Sequence, residues 1–225
     1  MGTAPAALTA IAALLLLGLL PASDAFATRT IVTIRERAEL HASPGGPLLI
    51  SGRDPLSESG SAWVVRRQGT WLGIPTTQRR SGALGWIRES PMQRLSATAL
   101  LVRVDLSARR VRVTSGGWPM MSAQVAVGSP LSPSPVGSTS VSGRIWVTPS
   151  SGLTRGAMGP VVISLRMWQP QASPGLPLGG VMAFHGGANP SVGSATSGGC
   201  FRMRDADVLR LSRYVRAGTP VIVSR

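Results

Sequence analysis

Residues 180–203 read GVMAFHGGANPSVGSATSGGCFRM and contain the chain's one cysteine, Cys200, together with His185, one of its two histidines. The apolar run Val181–Phe184 predicts a buried strand that presents His185 at its end. The glycines before Cys200 give the backbone the freedom to form an exposed turn around the thiol. The stretch therefore predicts a strand and a glycine-rich turn that bring a thiol and an imidazole together.

A thiol beside an imidazole is the smallest set of catalytic groups for nucleophilic acyl transfer. The imidazole can take the thiol proton and create the nucleophilic thiolate. Consecutive backbone N–H groups of a turn can converge on an oxyanion. The alternative is an inert buried cysteine with a hydrogen-bonded structural histidine. One unpaired cysteine in an exported protein favours the nucleophile, because an exposed thiol without a use is a liability.

The N-terminus, residues 1–27, is typical of an export signal. Ala6–Leu20 is apolar, Pro21 ends the run, and Ala25-Phe26-Ala27 matches a signal-peptidase site. The apolar run is shorter than the roughly 20 residues that span a bilayer. Because no Arg or Lys precedes it, an uncleaved membrane anchor is the alternative. We expect an exported protein, in the cell envelope or secreted, which contacts a membrane only through this segment if it stays uncleaved.

The composition limits the partners and cofactors. One cysteine excludes an intrachain disulfide, and with only two histidines it excludes a zinc site built mainly from Cys and His. We expect no metal and no cofactor. The net charge is +14 and every basic residue is Arg, which favours anionic cell-wall polymers. Nucleic acid is disfavoured because the arginines are scattered and no nucleic-acid-binding motif is present. A GC-rich genome that encodes Arg in place of Lys is an equally weighted alternative.

The chain has 27 glycines and 18 prolines, with few charged residues, which suits short strands and many turns. Residues 28–97 predict a small all-β unit with Trp63, Trp71 and Trp86 as core anchors, although a ligand-binding role for these tryptophans is the less frequent alternative. Its predicted strands are Thr30–Ile34, Ala62–Val65, Trp71–Ile74 and Leu84–Ile87. The pattern at Trp71–Ile74 and Gly82–Ile87 resembles that of bacterial SH3-like domains.

Residues 98–225 continue the succession of strands and turns. Leu100–Leu106 and Arg110–Thr114 alternate apolar and polar residues and predict a hairpin. Further strands are predicted at Ser122–Gly128, Gly159–Leu165 and Val221–Val223, with loops at Ser129–Gly137 and Gln169–Pro177. One helix is predicted near the C-terminus, with Asp205 as its N-cap and Gly218 at its C-cap. His41 and Arg204 are expected on the surface, and Asp207 is expected to support the first turn of the helix.

Several ordered motifs then resemble the L,D-transpeptidase catalytic domain (the YkuD type). They are His185-Gly186-Gly187, Ser197-Gly198-Gly199-Cys200-Phe201-Arg202-Met203, and upstream Pro133-Ser134-Pro135-Val136-Gly137. The resemblance implies a mainly β protein in which a small SH3-like β-barrel is followed by a β-rich L,D-transpeptidase catalytic domain with one C-terminal helix. Two positions depart from the family pattern: Gly198 stands where histidine is frequent, and Ser134 where threonine is usual.

The resemblance also implies the chemistry. Cys200 would attack a peptidoglycan stem peptide and form a thioester, and the acyl group would pass to a neighbouring stem in a 3→3 cross-link. His185 would be the general base, and the Gly186 carbonyl would orient it. The N–H groups of Gly199 and Cys200 would form the oxyanion hole, while Ser197 and Arg202 would bind substrate. Two alternatives stay open, an L,D-carboxypeptidase with the same thiol and a non-catalytic cell-wall-binding protein.

Overall fold

A computed structural model of the chain describes residues 27–35, 38–50, 60–171 and 178–225. The predicted export signal lies outside the described residues except for Ala27, and so does most of the loop predicted at Gln169–Pro177. Within the described ranges, no helix has the length and apolar character needed to span a membrane.

The first part of the chain folds into two small sheets around a shared core. Its strands are β1 (Arg29–Ile34), β2 (Leu40–His41), β3 (Leu48–Ile50), β4 (Ser61–Trp63), β5 (Arg66–Gln68), β6 (Trp71–Pro75), β7 (Leu84–Arg88) and β8 (Gln93–Thr98). The three-stranded sheet has the order β4-β1-β8, and the five-stranded sheet has the order β3-β2-β7-β6-β5. Val32 and Ala62 of the first sheet pack with Leu40, Leu72 and Ile87 of the second.

The structure confirms the four strands predicted in this part to within two residues at each end. Trp63 and Trp86 are buried as expected, whereas Trp71 is half-buried. His41, expected on the surface, is half-buried: its ring packs edge-on against Trp71 with centroids 4.8 Å apart, and its Nδ1 lies 2.7 Å from Gly46 O. The likeness of this part to SH3-like domains stays a prediction.

The second part is built on one eight-stranded sheet that curls around the larger core. The elements are β9 (Leu100–Asp105), β10 (Arg110–Ser115), β11 (Trp118–Gln124), β12 (Val127–Gly128), β13 (Gly137–Trp146), α1 (Arg155–Met158), β14 (Val161–Trp168), β15 (Val181–His185), β16 (Ala195–Ser197), β17 (Phe201–Arg202), α2 (Asp205–Tyr214) and β18 (Pro220–Ser224), with a short 3₁₀ turn at Pro149–Ser151. The strand order is β11-β10-β9-β18-β13-β14-β15-β17, while β12 pairs with β16.

The alternating pattern of the predicted hairpin explains its position over the core. Val102 and Val104 of β9 and Val111 and Val113 of β10 are fully buried, while the residues between them face outward. Helix α2 covers the same core with Val208 and Leu211. Over its described residues the chain is therefore mainly β with one helix of appreciable length near the C-terminus, as predicted.

Some predicted boundaries are corrected. Helix α2 begins at Asp205 with Arg204 as its N-cap, because the Asp205 carboxylate bonds another segment of the chain instead of capping its own helix. The helix ends at Tyr214, and Gly218, with φ +87°, lies in the turn before β18. The strand predicted at Ser122–Gly128 is divided between β11 and β12. Strand β13, the longest in the part of the chain that the structure describes, was not predicted.

The two parts of the chain are joined by specific hydrogen bonds. The buried guanidinium of Arg166 donates from Nε and Nη2 to Ser61 O, at 3.3 and 3.1 Å. Near it, the Trp63 N–H donates to Ser140 Oγ at 3.4 Å. Ser81 Oγ donates to Trp168 O at 2.6 Å, at the end of strand β14. The N-terminal unit therefore braces β13 and β14, and β14 pairs directly with β15, the strand that ends at His185.

Candidate active site

Strand pairing brings the predicted thiol and imidazole into one cavity. β15 ends at His185 and runs parallel to β17, with Phe184 opposite Phe201 and His185 opposite Arg202. Cys200 immediately precedes β17, so the turn that carries it lies beside β15. Both His185 and Cys200 line a cavity of about 440 Å³.

The cavity has a mainly apolar lining. Met158, Leu178 and Met182 contribute apolar surface, Asn189 and Gln169 contribute amides, and the charged side chain among its described lining residues is that of Arg202. No acidic side chain is among those lining residues. The described part of the chain also contains no group of three or more His, Cys, Asp or Glu side chains placed to hold a metal ion.

His185 is oriented by the backbone next to it. Its ring is 6% exposed, and Nδ1 lies 2.8 Å from Gly186 O. Since a carbonyl oxygen can only accept, Nδ1 carries the proton of this bond, and Nε2 of the neutral ring is free to accept one. Burial lowers the pKa of His185 from its ordinary value; the hydrogen bond to Gly186 opposes this and the charge of Arg202 adds to it. The ring is thus held as a neutral base.

The turn after His185 depends on glycine and on an aspartate from helix α2. The Gly186 N–H donates to Met158 O at 3.1 Å, and the Gly187 N–H donates to Asp205 Oδ1 at 2.9 Å. A Cβ on Gly186 would lie 1.9 Å from Asp205 Oδ1, so no larger residue fits there without displacing the carboxylate. The Gly186 carbonyl is therefore held between the end of α1 and the start of α2.

Ser197 closes the turn that carries the thiol. Its Oγ accepts the Gly199 N–H at 3.1 Å and donates to Cys200 O at 2.6 Å. The side chain is 1% exposed and is not among the cavity-lining residues. Ser197 was expected to bind substrate, but the structure uses its hydroxyl within the turn.

Two serines of the loop before β13 donate hydrogen bonds to backbone carbonyls of the same turn. Ser134 Oγ donates to Gly199 O at 2.5 Å and accepts the Gly128 N–H at 2.8 Å. Ser132 Oγ donates to Gly198 O at 2.9 Å. The motif Pro133–Gly137 was noted in the sequence, but sequence reasoning did not assign either serine to the site.

Gln169 is a further residue that sequence reasoning missed. It is 2% exposed, its Nε2 donates to Pro133 O, and its Oε1 accepts the Gln171 N–H at 3.0 Å. Its Cγ would lie 3.0 Å from a Cβ on Gly199, whose φ of +120° also favours glycine. The signal for this residue is only its position at the end of the strand β14 that borders β15.

The electrostatic environment keeps the thiol protonated at rest. Burial raises the pKa of Cys200 above its ordinary value, although a backbone hydrogen bond from Ala183 and the charge of Arg202 both act in the opposite direction. Because the pKa of His185 is lowered, the resting pair is a neutral thiol and a neutral imidazole. Arg202 lines the cavity, and its Nη2 lies 3.5 Å from Thr196 O. A proton transfer from sulfur to imidazole is the step that such a pair can perform.

The chain is similar to a protein family and to several solved structures. The family model of the L,D-transpeptidase catalytic domain (YkuD) matches residues 100–223. No curated protein sequence matches the chain. Solved structures similar to it include L,D-transpeptidase 3 from Mycobacterium tuberculosis (17% identity, 63% of this chain and 74% of that one, TM-score 0.45). Others are an L,D-transpeptidase from Mycobacterium smegmatis (15%, 72% and 80%, 0.44) and the catalytic domain of an Enterococcus faecium L,D-transpeptidase (20%, 56% and 96%, 0.39).

Proposed function

The chain belongs to the L,D-transpeptidase catalytic-domain family, and we propose that it is an exported enzyme that forms 3→3 cross-links between peptidoglycan stem peptides through a thioester on Cys200. The observation that carries the proposal is the pairing of Cys200 with His185 in one cavity, with the imidazole held in the tautomer that can accept a proton. Residues 98–225 are the proposed catalytic domain, after a signal peptide at 1–27 and an SH3-like domain at 28–97.

In the first half-reaction, the Cys200 thiol proton passes to His185 Nε2 as sulfur attacks the carbonyl carbon of the L-centre of the diamino acid at stem position three. A carbon–sulfur bond forms and the carbonyl oxygen becomes an oxyanion. The carbon–nitrogen bond to the terminal D-alanine then breaks, and His185 returns the proton to the leaving amine. The product is a thioester, and D-alanine leaves.

In the second half-reaction, an amine of a neighbouring stem attacks the thioester carbon. His185 takes the amine proton, the new carbon–nitrogen bond forms, and the carbon–sulfur bond breaks. The proton then returns to sulfur, so the enzyme is restored without a cofactor. Burial supports this cycle, because it keeps both groups neutral between turnovers.

The surrounding residues have proposed roles that follow from their contacts. The Gly186 carbonyl orients His185, and the Cys200 N–H stabilises the oxyanion. The Gly199 N–H joins it only after exchanging Ser197 Oγ for the substrate oxygen, because it donates to that hydroxyl at rest. Arg202, the cation in the cavity lining, attracts a stem carboxylate. Ser197 acts on the turn.

The nearest alternative is an L,D-carboxypeptidase, in which water takes the acyl group in place of the amine. The thioester step is the same, so the cavity supports both outcomes equally. Products from a tetrapeptide muropeptide distinguish them: cross-linked dimers indicate transfer, and tripeptide monomers alone indicate hydrolysis.

The thioester is tested by intact-mass measurement of the mature protein after incubation with a carbapenem, a β-lactam that acylates nucleophiles of this kind. We expect one covalent adduct, located on Cys200, and none on a Cys200→Ala variant. A parent protein that forms no adduct and yields neither dimers nor tripeptides would overturn the proposal in favour of a non-catalytic wall-binding protein.

The charge of the chain bears on its partners outside the cavity. With a net charge of +14, we propose that the protein is also attracted to anionic cell-wall polymers. This attraction is long-range, so binding of the Cys200→Ala variant to purified sacculi should weaken as salt is raised. Binding that is insensitive to salt would contradict it and would indicate specific recognition instead.

A further inference from the structure

We propose that Ser134, assisted by Ser132, is a positioning residue for the thioester chemistry, because its hydroxyl fixes the direction of the Cys200 N–H. The inference rests on the proposed function and adds to it the part of the molecule that prepares the oxyanion site. The two serines lie about 65 positions before Cys200 in the sequence, and their hydroxyls donate to the backbone carbonyls of Gly198 and Gly199 in the turn that carries it.

The geometry of the peptide bond links Ser134 to the oxyanion donor. The peptide unit between Gly199 and Cys200 is planar and trans, so the Gly199 carbonyl and the Cys200 N–H point in opposite directions. Ser134 Oγ donates to that carbonyl at 2.5 Å, and neither Ser134 nor Gly199 is among the residues that line the cavity, whereas Cys200 is. The Cys200 N–H is thereby directed toward the other side, where Cys200 lines the cavity.

The neighbouring peptide unit is held less tightly. Ser132 Oγ shares its one proton between Gly198 O at 2.9 Å and Gln171 O at 3.1 Å, and the Gly199 N–H of that unit donates to Ser197 Oγ. Because this second N–H is occupied at rest, the Cys200 N–H is the donor whose direction matters for the first oxyanion. Ser134 therefore controls the more important of the two peptide units.

The Ser134 hydroxyl has little freedom to turn elsewhere. The side chain is 7% exposed, and its oxygen receives the Gly128 N–H at 2.8 Å, which leaves its proton to Gly199 O. Gly128 itself allows no side chain, since a Cβ there would lie 2.2 Å from Ser132 O. On the opposite side, Gln169 packs against Gly199. The turn is thus preset before any substrate arrives, which is what makes an oxyanion donor effective.

The experiment compares two reactions of the same thiol in the full mature chain. Acylation by a carbapenem passes through an oxyanion, whereas alkylation by iodoacetamide is a direct displacement at carbon and does not. We expect Ser134→Ala to slow acylation roughly 10- to 100-fold, an effect no larger than that of removing an oxyanion donor itself. The rate of alkylation should stay within about 2-fold of the parent rate. Ser134→Thr keeps the hydroxyl and should recover most of the acylation rate.

Each outcome decides the question. An acylation rate unchanged in Ser134→Ala overturns the proposal, and so does an equal loss in both reactions, which would indicate general damage to the site. If Ser134→Ala does not fold, Ser132→Ala replaces it and must show the same selective loss on a smaller scale, or the proposal is wrong. A parent protein that is alkylated but never acylated at Cys200 would instead refute the proposed function.

Discussion

Asp205 Oδ1 accepts a 2.9 Å hydrogen bond from the backbone N–H of Gly187, 18 positions earlier in the chain. This bond ties the first turn of helix α2 to the turn that follows His185. The carbonyl of the intervening residue Gly186 is the acceptor for His185 Nδ1. The orientation of the imidazole therefore depends on an aspartate that does not contact it.

Asp205→Ala is expected to lower kcat/KM about 10-fold, because the Gly187 N–H loses its acceptor and the carbonyl that holds His185 is released. Because this hydrogen bond is exposed to solvent, its loss is expected to cost about 1 kcal/mol in the free energy of unfolding. Asp207→Ala is the matched control, since it removes a carboxylate from the same helical turn but leaves the Gly187 bond intact. Equal effects of the two substitutions on kcat/KM would show that only helix charge is involved.

Gly186→Ala tests how closely the same carboxylate approaches the backbone. The new Cβ would lie 1.9 Å from Asp205 Oδ1, so the turn and the imidazole it orients must shift. We expect a fall of more than 10-fold in kcat, and partial recovery in the double variant Gly186→Ala, Asp205→Ala, where the clash is gone. Gly143→Ala, whose Cβ would make only an ordinary 3.8 Å contact, should behave like the parent. Failure of the double variant to exceed Gly186→Ala alone would contradict this explanation.

The parts of the fold that could be predicted are those with a strong local pattern. The hairpin β9–β10 alternates buried valines with polar residues, and helix α2 places Val208 and Leu211 on one face. Strand β13 has no such signal, because its sequence GSTSVSGRIW contains two glycines and three serines and its apolar residues do not alternate with polar ones. It forms because it pairs with β18 on one side and β14 on the other, with a bulge where it passes from one to the other.

The residues of the candidate site also fall into two groups, those that the sequence predicts and those that it does not. Cys200 and His185 could be singled out because each residue type is rare in this chain and the glycines beside them mark turns. Ser132, Ser134 and Gln169 could not, because their contacts with the Cys200 turn join segments at least 30 positions apart. Serine and glutamine are common surface residues, and only the folded chain shows that these are buried.

Arg166→Met should destabilise the protein, since it removes the buried guanidinium that donates twice to Ser61 O and joins the N-terminal unit to strand β14. We expect the free energy of unfolding to fall by about 2 kcal/mol, because the Ser61 carbonyl is left without this donor. Arg112→Met, on the exposed face of β10, is the control and should change it little. Chemical denaturation measures both, and equal stability of the two variants would show that this junction contributes nothing.

The pH dependence of acylation should reveal the environment of the pair. Acylation needs neutral His185, and its pKa is lowered by burial, opposed by the Gly186 bond and assisted by Arg202. As pH rises, His185 therefore loses its proton at a lower pH than an ordinary histidine does. The carbapenem acylation rate should rise with this deprotonation and no longer change with pH near neutrality. Arg202→Gln removes a positive charge, which raises the pKa of His185. The acidic limb of the pH–rate profile, where the rate rises with pH, should therefore move to higher pH. Arg202→Lys keeps the charge and should hold the limb near its original position.

The pH of the limb, not its height, is the decisive measurement, because a weaker interaction with a substrate carboxylate lowers the rate at every pH. An acidic limb at the same pH in the Gln variant would show that Arg202 does not act on His185 through its charge.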